Sequence, residues 1–189
     1  CFSLGGVIAR SALIDMLLRP FLPKMHTFMS LSVCHLGYLC NTNTLFKYIF
    51  WAVRKGTKST CLKQLSLEDH SDKRKAFLYK LSLNKTLSNF KNVLIFSSKE
   101  DLYVPQHSAR IETINNVSNN NIIHNEMTAN LLNPLSKVLI VKINVKFDKE
   151  QSMLDKMTGR DSHISFISNE NFIRDLFFSY GKYFWNDCL

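Results

Sequence analysis

Apolar residues along this chain recur in stretches whose lengths and spacings predict alternating helices and strands. Residues 4–19 are apolar around most of a helical circumference, broken only by Arg10, Ser11, Asp15 and Arg19. We therefore expect a largely buried helix that Pro20 ends. Residues 45–54 and 71–82 also carry the apolar periodicity of helices.

Three further stretches read as strands. Residues 28–33 are compatible with a buried strand, residues 93–96 are a short continuous apolar run, and residues 138–147 begin apolar and then alternate with polar positions. Strands separated by helices predict an α/β fold with a mainly parallel sheet and helices on both faces. In such sheets, functional sites form beyond the carboxyl ends of the strands.

The remaining segments read as connections and one last helix. The Asn-rich segment at about 113–126 predicts a mobile surface loop, and residues 148–162 predict a loop that delivers His163. Ser168 is placed to cap a final helix. The apolar face of that helix is formed by Phe172, Ile173, Leu176, Phe177 and Tyr180.

Of three side chains with hydrolytic chemistry, two follow strand-like segments and the third stands where such a segment would end. Ser3 precedes the first helix, Asp101 follows the apolar run at 93–96, and His163 follows the run at 138–147. Serine, acid and histidine in this chain order are typical of α/β-hydrolases, in which histidine activates the serine and the acid orients the histidine. The backbone N–H of Leu4 is the candidate oxyanion-hole donor.

Other residues compete for these roles. Glu100 is the neighbour and rival of Asp101. His107 is the nearest competitor of His163, although we expect it to pack or cap after the acid. His35 follows a strand end, where a structural hydrogen bond is favoured over a place in the site.

Composition narrows the function classes. The 189 residues suit one domain, and 46% are hydrophobic, which is enough for a core. The net charge of +9 is scattered and lacks the basic-aromatic pattern of RNA-binding domains, so we expect no nucleic-acid partner and at most weak association with anionic membrane surfaces. No apolar run is long enough to cross a bilayer.

Cysteine and histidine spacing argues against metal chemistry. The five cysteines are irregularly spaced, without a Cys-x-x-Cys pair, and the remaining histidines have no partners at ligand spacing. We expect no metal and no cofactor. Reduced, buried thiols favour a cytoplasmic location.

Several stretches together resemble the lipase-like serine esterase family of α/β-hydrolases, and within it the eukaryotic branch called family with sequence similarity 135. The matching stretches are Ser3-Leu4-Gly5-Gly6, His35-Leu36-Gly37, Phe77-Leu78-Tyr79-Lys80-Leu81-Ser82, Phe90-Lys91-Asn92-Val93, the run from Asp101 to Glu112, and Gly159-Arg160 ahead of His163-Ile164. Within that run, Tyr103-Val104-Pro105 followed by His107-Ser108-Ala109-Arg110 is the most specific element.

The resemblance implies a fold and an activity. It places the nucleophile at Ser3, the acid at Asp101 and the base at His163, with Gly5 and Gly6 letting the first helix pack closely. It implies hydrolysis of carboxylic esters, lipids among them, through an acyl-serine intermediate. It also implies a helical, cap-like insertion at about 40–90.

Three departures from the family pattern leave an alternative open. Cys1 and Phe2 stand where the family has Gly and His, and Cys34 stands where it has Pro. We also expect residues 1–189 to be the C-terminal part of the domain, without its N-terminal strands and the loop that supplies a second oxyanion donor. The alternative is a catalytically inactive scaffold or interaction protein that keeps the fold.

Overall fold

A computed structural model describes residues 1–40, 59–115, 118–147 and 159–185. The predicted helix at 45–54 and most of the cap-like insertion's first half lie outside these residues. The described helices are α1 (Leu4–Ala12), α2 (Thr60–Leu65), α3 (Phe77–Ser82), α4 (Gln106–Arg110), α5 (Asn119–Leu132), α6 (Arg160–Ser168), α7 (Glu170–Tyr180) and α8 (Lys182–Trp185). Short 3₁₀ segments span Met16–Lys24, Lys73–Lys75, Thr86–Asn89 and Asn133–Leu135.

Three strands form a parallel sheet, as the sequence predicted. They are β1 (Thr27–Leu31), β2 (Asn92–Ser97) and β3 (Leu139–Asn144), in the order β1-β2-β3. Leu94 of β2 lies opposite Met29 of β1 and Val141 of β3. The arrangement is an α/β fold in which all three carboxyl ends meet at one edge.

The first residues of the chain extend this sheet. Phe2 pairs in parallel with Leu31, on the edge of β1 that faces away from β2. The Leu31 N–H donates to the Cys1 carbonyl at 2.8 Å, and the Ser3 N–H donates to the Leu31 carbonyl at 3.0 Å. Ser3 therefore ends a strand-like segment that lies beside β1.

Helices cover both faces of the sheet, and successive side chains of β2 point alternately into the two cores that result. Val93 and Ile95 face a core that also contains residues of α1, α3 and α5. Leu94 and Phe96 face a second, aromatic core with Phe166 of α6 and Leu176 of α7. Because β2 is central and buried on both faces, its residues read as a continuous apolar run.

The predicted helix at 4–19 is shorter and less buried than expected. Helix α1 ends at Ala12, and Asp15 accepts a hydrogen bond from the Leu17 N–H at 2.9 Å to start a 3₁₀ segment that contains Pro20. Ile8, Met16 and Leu17 are 60%, 71% and 81% exposed. Arg10, which the pattern placed on a polar break, is instead completely buried.

The prediction of a loop at 113–126 is wrong from residue 119 onward. Ser118 accepts a hydrogen bond from the Asn121 N–H at 3.2 Å and caps α5. Ile123, Met127 and Leu131 recur at four-residue spacing and are buried in the first core. Burial of this stripe outweighs the low helix propensity of the asparagines.

Two other boundaries differ from the predictions. The helix α6 begins at Arg160, so residues 160–162 are helical and do not belong to the predicted loop, whose residues 148–158 are outside the described part. Asn169, not Ser168, caps α7 by accepting from the Phe172 N–H at 3.0 Å. In the charged half of the predicted helix at 71–82, the chain forms the 3₁₀ turn Lys73–Lys75 before α3.

Candidate active site

Ser3 lies at a strained turn between the strand-like segment and α1. Its φ of 50° and ψ of −129° place a non-glycine residue where L side chains are crowded, at a cost of about 1–3 kcal/mol. Its side chain makes no capping bond to α1, so Oγ is available for another partner. Strain at a strand-to-helix serine is the geometry of a nucleophile elbow.

One of the two following glycines is required by packing. A Cβ on Gly6 would overlap the methyl carbons of Val33, whereas a Cβ on Gly5 would meet nothing within 4 Å. The prediction of close helix packing is confirmed for Gly6 and is wrong for Gly5. Gly6 brings the start of α1 against the loop that follows β1.

Asp101 lies just beyond the carboxyl end of β2 and is 3% exposed. Its Oδ1 accepts hydrogen bonds from the N–H groups of Tyr103 at 2.8 Å and Val104 at 3.1 Å. Its Oδ2 accepts from the Ser32 hydroxyl and from the His163 ring. The rival Glu100 accepts from the Ser98 hydroxyl at 2.6 Å instead.

His163 lies near the beginning of α6 and joins the other two side chains. Its Nδ1 is 2.6 Å from Asp101 Oδ2, and its Nε2 is 2.9 Å from Ser3 Oγ. Because a carboxylate only accepts, Nδ1 donates to Asp101, which leaves Nε2 as the ring nitrogen that can accept from the serine hydroxyl. The structure therefore brings together Ser3, Asp101 and His163, which lie up to 160 residues apart in sequence.

Gly159 holds α6 against the acid loop. It has a φ of 65°, and a Cβ there would approach the Glu100 carbonyl at 2.8 Å and overlap the backbone of Leu102. Only glycine combines this left-handed conformation with this approach. The glycine thus allows the start of α6 to lie directly against the residues on either side of Asp101.

Two aromatic rings contact the imidazole of His163. The Phe2 ring centroid is 4.7 Å away at a tilt of 37°, and the Tyr103 ring stacks at 5.3 Å and 15°. These two contacts were not predicted from the sequence. The position of Tyr103, two residues after the acid in a turn that the acid itself caps, is the pattern from which its contact could have been found.

Leu4 is the first residue of α1. Its N–H has no acceptor within the helix, and the positive end of the helix dipole lies here. Its side chain lines a groove of about 570 Å³ between α1 and α2, whose other walls include Val7, Ile8, Leu65 and Phe77. The groove is apolar and begins at the residue that follows Ser3.

His35 belongs to a different buried cluster. Arg10 donates to its Nδ1 at 3.4 Å and to its carbonyl at 3.0 Å, and its Nε2 bonds the Ser30 hydroxyl at 2.8 Å. Burial, reinforced by the Arg10 charge, holds the pKa of His35 well below its ordinary value. The predicted structural role of His35 is confirmed, while Arg10 was missed as a buried residue.

His107 packs as predicted. Its ring lies edge-on to His124 at 4.8 Å, and burial together with that neighbour lowers the pKa of His107 to about 4. Over the described ranges, no three His, Cys, Asp or Glu side chains are grouped to hold a metal ion. None of the helices in those ranges is long and apolar enough to cross a membrane.

Comparison with known proteins agrees with the resemblance in the sequence. No solved structure matches the chain. A family model matches residues 1–118, more than half of the 189 residues, and the match contains Ser3 and Asp101. The chain therefore belongs to the family described as "Putative serine esterase (DUF676)".

Proposed function

We propose that this protein hydrolyses carboxylic esters through an acyl-serine intermediate on Ser3. The observation that carries the proposal is the hydrogen-bonded series from Ser3 Oγ through His163 to Asp101, with distances of 2.9 and 2.6 Å. The strained conformation of Ser3 adds to it, because strain is retained where the surrounding structure enforces it for function.

In the acylation step, His163 Nε2 takes the proton of Ser3 as Oγ attacks the ester carbonyl. The carbonyl oxygen becomes an oxyanion beside the Leu4 N–H, and Asp101 stabilises the imidazolium without being protonated. His163 then gives the proton to the leaving alcohol as the carbon–oxygen bond breaks. Water, activated by the same ring, attacks the acyl-serine and releases the acid.

The acyl group of the proposed substrate is apolar. The groove beside Leu4 supports this choice, since Val7, Ile8 and Phe77 offer hydrocarbon contact directly after the nucleophile. Esters with medium acyl chains, including lipid esters, would gain more from this groove than acetate. No cofactor takes part in the proposed reaction.

We further propose that the complete domain has the α/β-hydrolase fold. The parallel strands, with Ser3, Asp101 and His163 each following a strand in the order serine, acid, histidine, support it. The motifs around Asp101–Glu112 and His35–Gly37 support a place in the family with sequence similarity 135 branch.

The competing proposal is a scaffold that keeps the fold without turnover. This proposal is favoured by Cys1 and Phe2, which directly precede Ser3 and stand in place of the elbow glycine and histidine. The two proposals differ in whether Ser3 reacts.

Ester hydrolysis separates them. We expect p-nitrophenyl butyrate and octanoate to be cleaved faster than the acetate, and cleavage to disappear in Ser3→Ala. Ser11→Ala removes the same hydroxyl from a residue that lines the groove, and it should keep most of the activity. Wild-type turnover no faster than that of Ser3→Ala would reject the esterase proposal in favour of the scaffold.

A further inference from the structure

Ser32 contacts the acid of the site from a different strand. It follows β1 directly, is completely buried, and its N–H donates to the Phe96 carbonyl at 2.9 Å. Its hydroxyl donates to Asp101 Oδ2, across 69 residues of sequence. Its φ of 43° is left-handed, so the backbone holds an unfavourable conformation while the hydroxyl faces the carboxylate.

The two oxygens of Asp101 are held in different ways. Oδ1 accepts from the N–H groups of Tyr103 and Val104, which belong to the same turn as Asp101. These two bonds therefore fix the carboxylate only relative to its own turn. Oδ2 accepts from Ser32 and from His163 Nδ1 together. Ser32 thus links the end of β1 to the one oxygen that orients the base.

A shared acceptor has two consequences. The Ser32 bond restrains rotation of the carboxylate and keeps Oδ2 in line with the imidazole. It also takes part of the negative charge that Oδ2 would otherwise present to His163, since hydrogen bonds to a carboxylate stabilise its charged form.

We propose that Ser32 is a positioning residue, which fixes the Asp101 carboxylate toward His163 and, by sharing its charge, limits the basicity of that imidazole. The inference rests on the proposed function and deepens it. Ser32 does not touch the reacting atoms and acts only through Asp101.

The proposal predicts the direction in which the pKa of His163 changes when the Ser32 hydroxyl is removed. In Ser32→Ala, Oδ2 keeps its full charge for His163, so the pKa of the imidazolium rises. The acid limb of the pH dependence of kcat/KM then moves to higher pH. Looser orientation lowers kcat by about tenfold with KM unchanged, because substrate is not touched.

Other groups facing the pair stay the same in this variant. Tyr103 stacks on the ring, Glu100 is held by Ser98, and the buried Tyr38 is electrostatically coupled to Asp101. Arg160 and Asp161 lie one turn or less before His163 on α6. A shift in Ser32→Ala is therefore assigned to the lost hydroxyl.

Ser30→Ala is the matched control. Ser30 lies two residues upstream, is also completely buried, and its hydroxyl bonds His35 at 2.8 Å and not Asp101. If Ser32→Ala fails to fold, Ser32→Cys fills the site with a somewhat larger side chain that is a weaker donor.

The test is an NMR titration of histidine-labelled protein, with the His163 resonance assigned by its loss in His163→Gln, together with pH profiles of ester hydrolysis. We expect the pKa of His163 to rise in Ser32→Ala or Ser32→Cys and to stay at the wild-type value in Ser30→Ala. An unchanged pKa of His163 in the folded Ser32 variants would overturn the inference. The titration needs no turnover, so an inactive wild type with the predicted shift would reject the esterase proposal and retain the Ser32 linkage.

Discussion

His163 and His35 lie in two buried polar clusters that share strand β1, yet their partners give them different capacities. His35 is enclosed by Arg10 and Ser30, and both of its ring nitrogens are bonded within a fully buried site. His163 is 7% exposed and lies between a carboxylate and a serine hydroxyl.

The difference lies in the charge beside each ring. Burial, reinforced by the charge of Arg10, lowers the pKa of His35 and opposes its protonation, which suits a fixed hydrogen-bonding group. Asp101 beside His163 stabilises a ring that becomes positive when it takes a proton. Of these two buried histidines, only His163 has both a carboxylate that can stabilise a positive ring and a serine hydroxyl within hydrogen-bond distance, so it is the one suited to proton transfer.

Asp101→Asn should produce the largest effect on activity. An amide cannot reproduce the carboxylate's charge, and it favours the wrong tautomer of His163, so we expect kcat to fall roughly 10³- to 10⁴-fold. Steady-state kinetics on p-nitrophenyl butyrate measures this. Glu100→Gln, the same change one residue earlier, should stay within about threefold because Glu100 bonds Ser98 alone in this network. Equal losses in both variants would remove the distinction between the two acids.

Arg10→Met should affect stability and spare the chemistry. It leaves the carbonyls of His35 and Leu81 without their buried donor, and we expect a loss of about 2–4 kcal/mol in the free energy of unfolding. Urea unfolding measures it, with the exposed Arg19→Met as control. If the folded Arg10→Met protein lost as much kcat as Asp101→Asn, the two clusters would not have separate roles in stability and in catalysis.

Gly6→Ala should affect both clusters, because α1 carries Leu4 at the site and Arg10 beside His35. The added methyl meets Val33, so α1 must shift, at a cost of about 1–3 kcal/mol in unfolding free energy and with a drop in kcat. Gly5→Ala meets open space and should be neutral or slightly stabilising. Thermal unfolding and kinetics of the pair would test this, and a destabilised Gly5→Ala beside an unaffected Gly6→Ala would contradict it.

The sequence predicted the parts of the site that follow from strand order. Asp101 and His163 could be chosen because each follows a strand-like run, and parallel strands bring their carboxyl ends together. Ser3 was chosen from its motif and the family resemblance, since no strand-like run precedes it in the sequence. β2 was predictable because a central strand is apolar on both faces.

The parts that were missed depend on contacts distant in sequence. A lone arginine in an apolar helix reads as exposed unless the carbonyls of His35 and Leu81 are known to surround it. Ser32 carries no local pattern, and only its distance from Asp101 in three dimensions shows its role. In α5, the apolar stripe was masked by asparagines, and its burial against the first core decided the structure.

The proposed esterase activity requires Ser3 to be an activated nucleophile. Its most direct test is labelling with a fluorophosphonate, which forms a stable bond to an activated serine, followed by intact-mass and peptide mass spectrometry. We predict one adduct per chain, located on Ser3 and absent from Ser3→Ala. A folded wild-type protein that stays unlabelled, or that carries the adduct on another residue, would contradict the account.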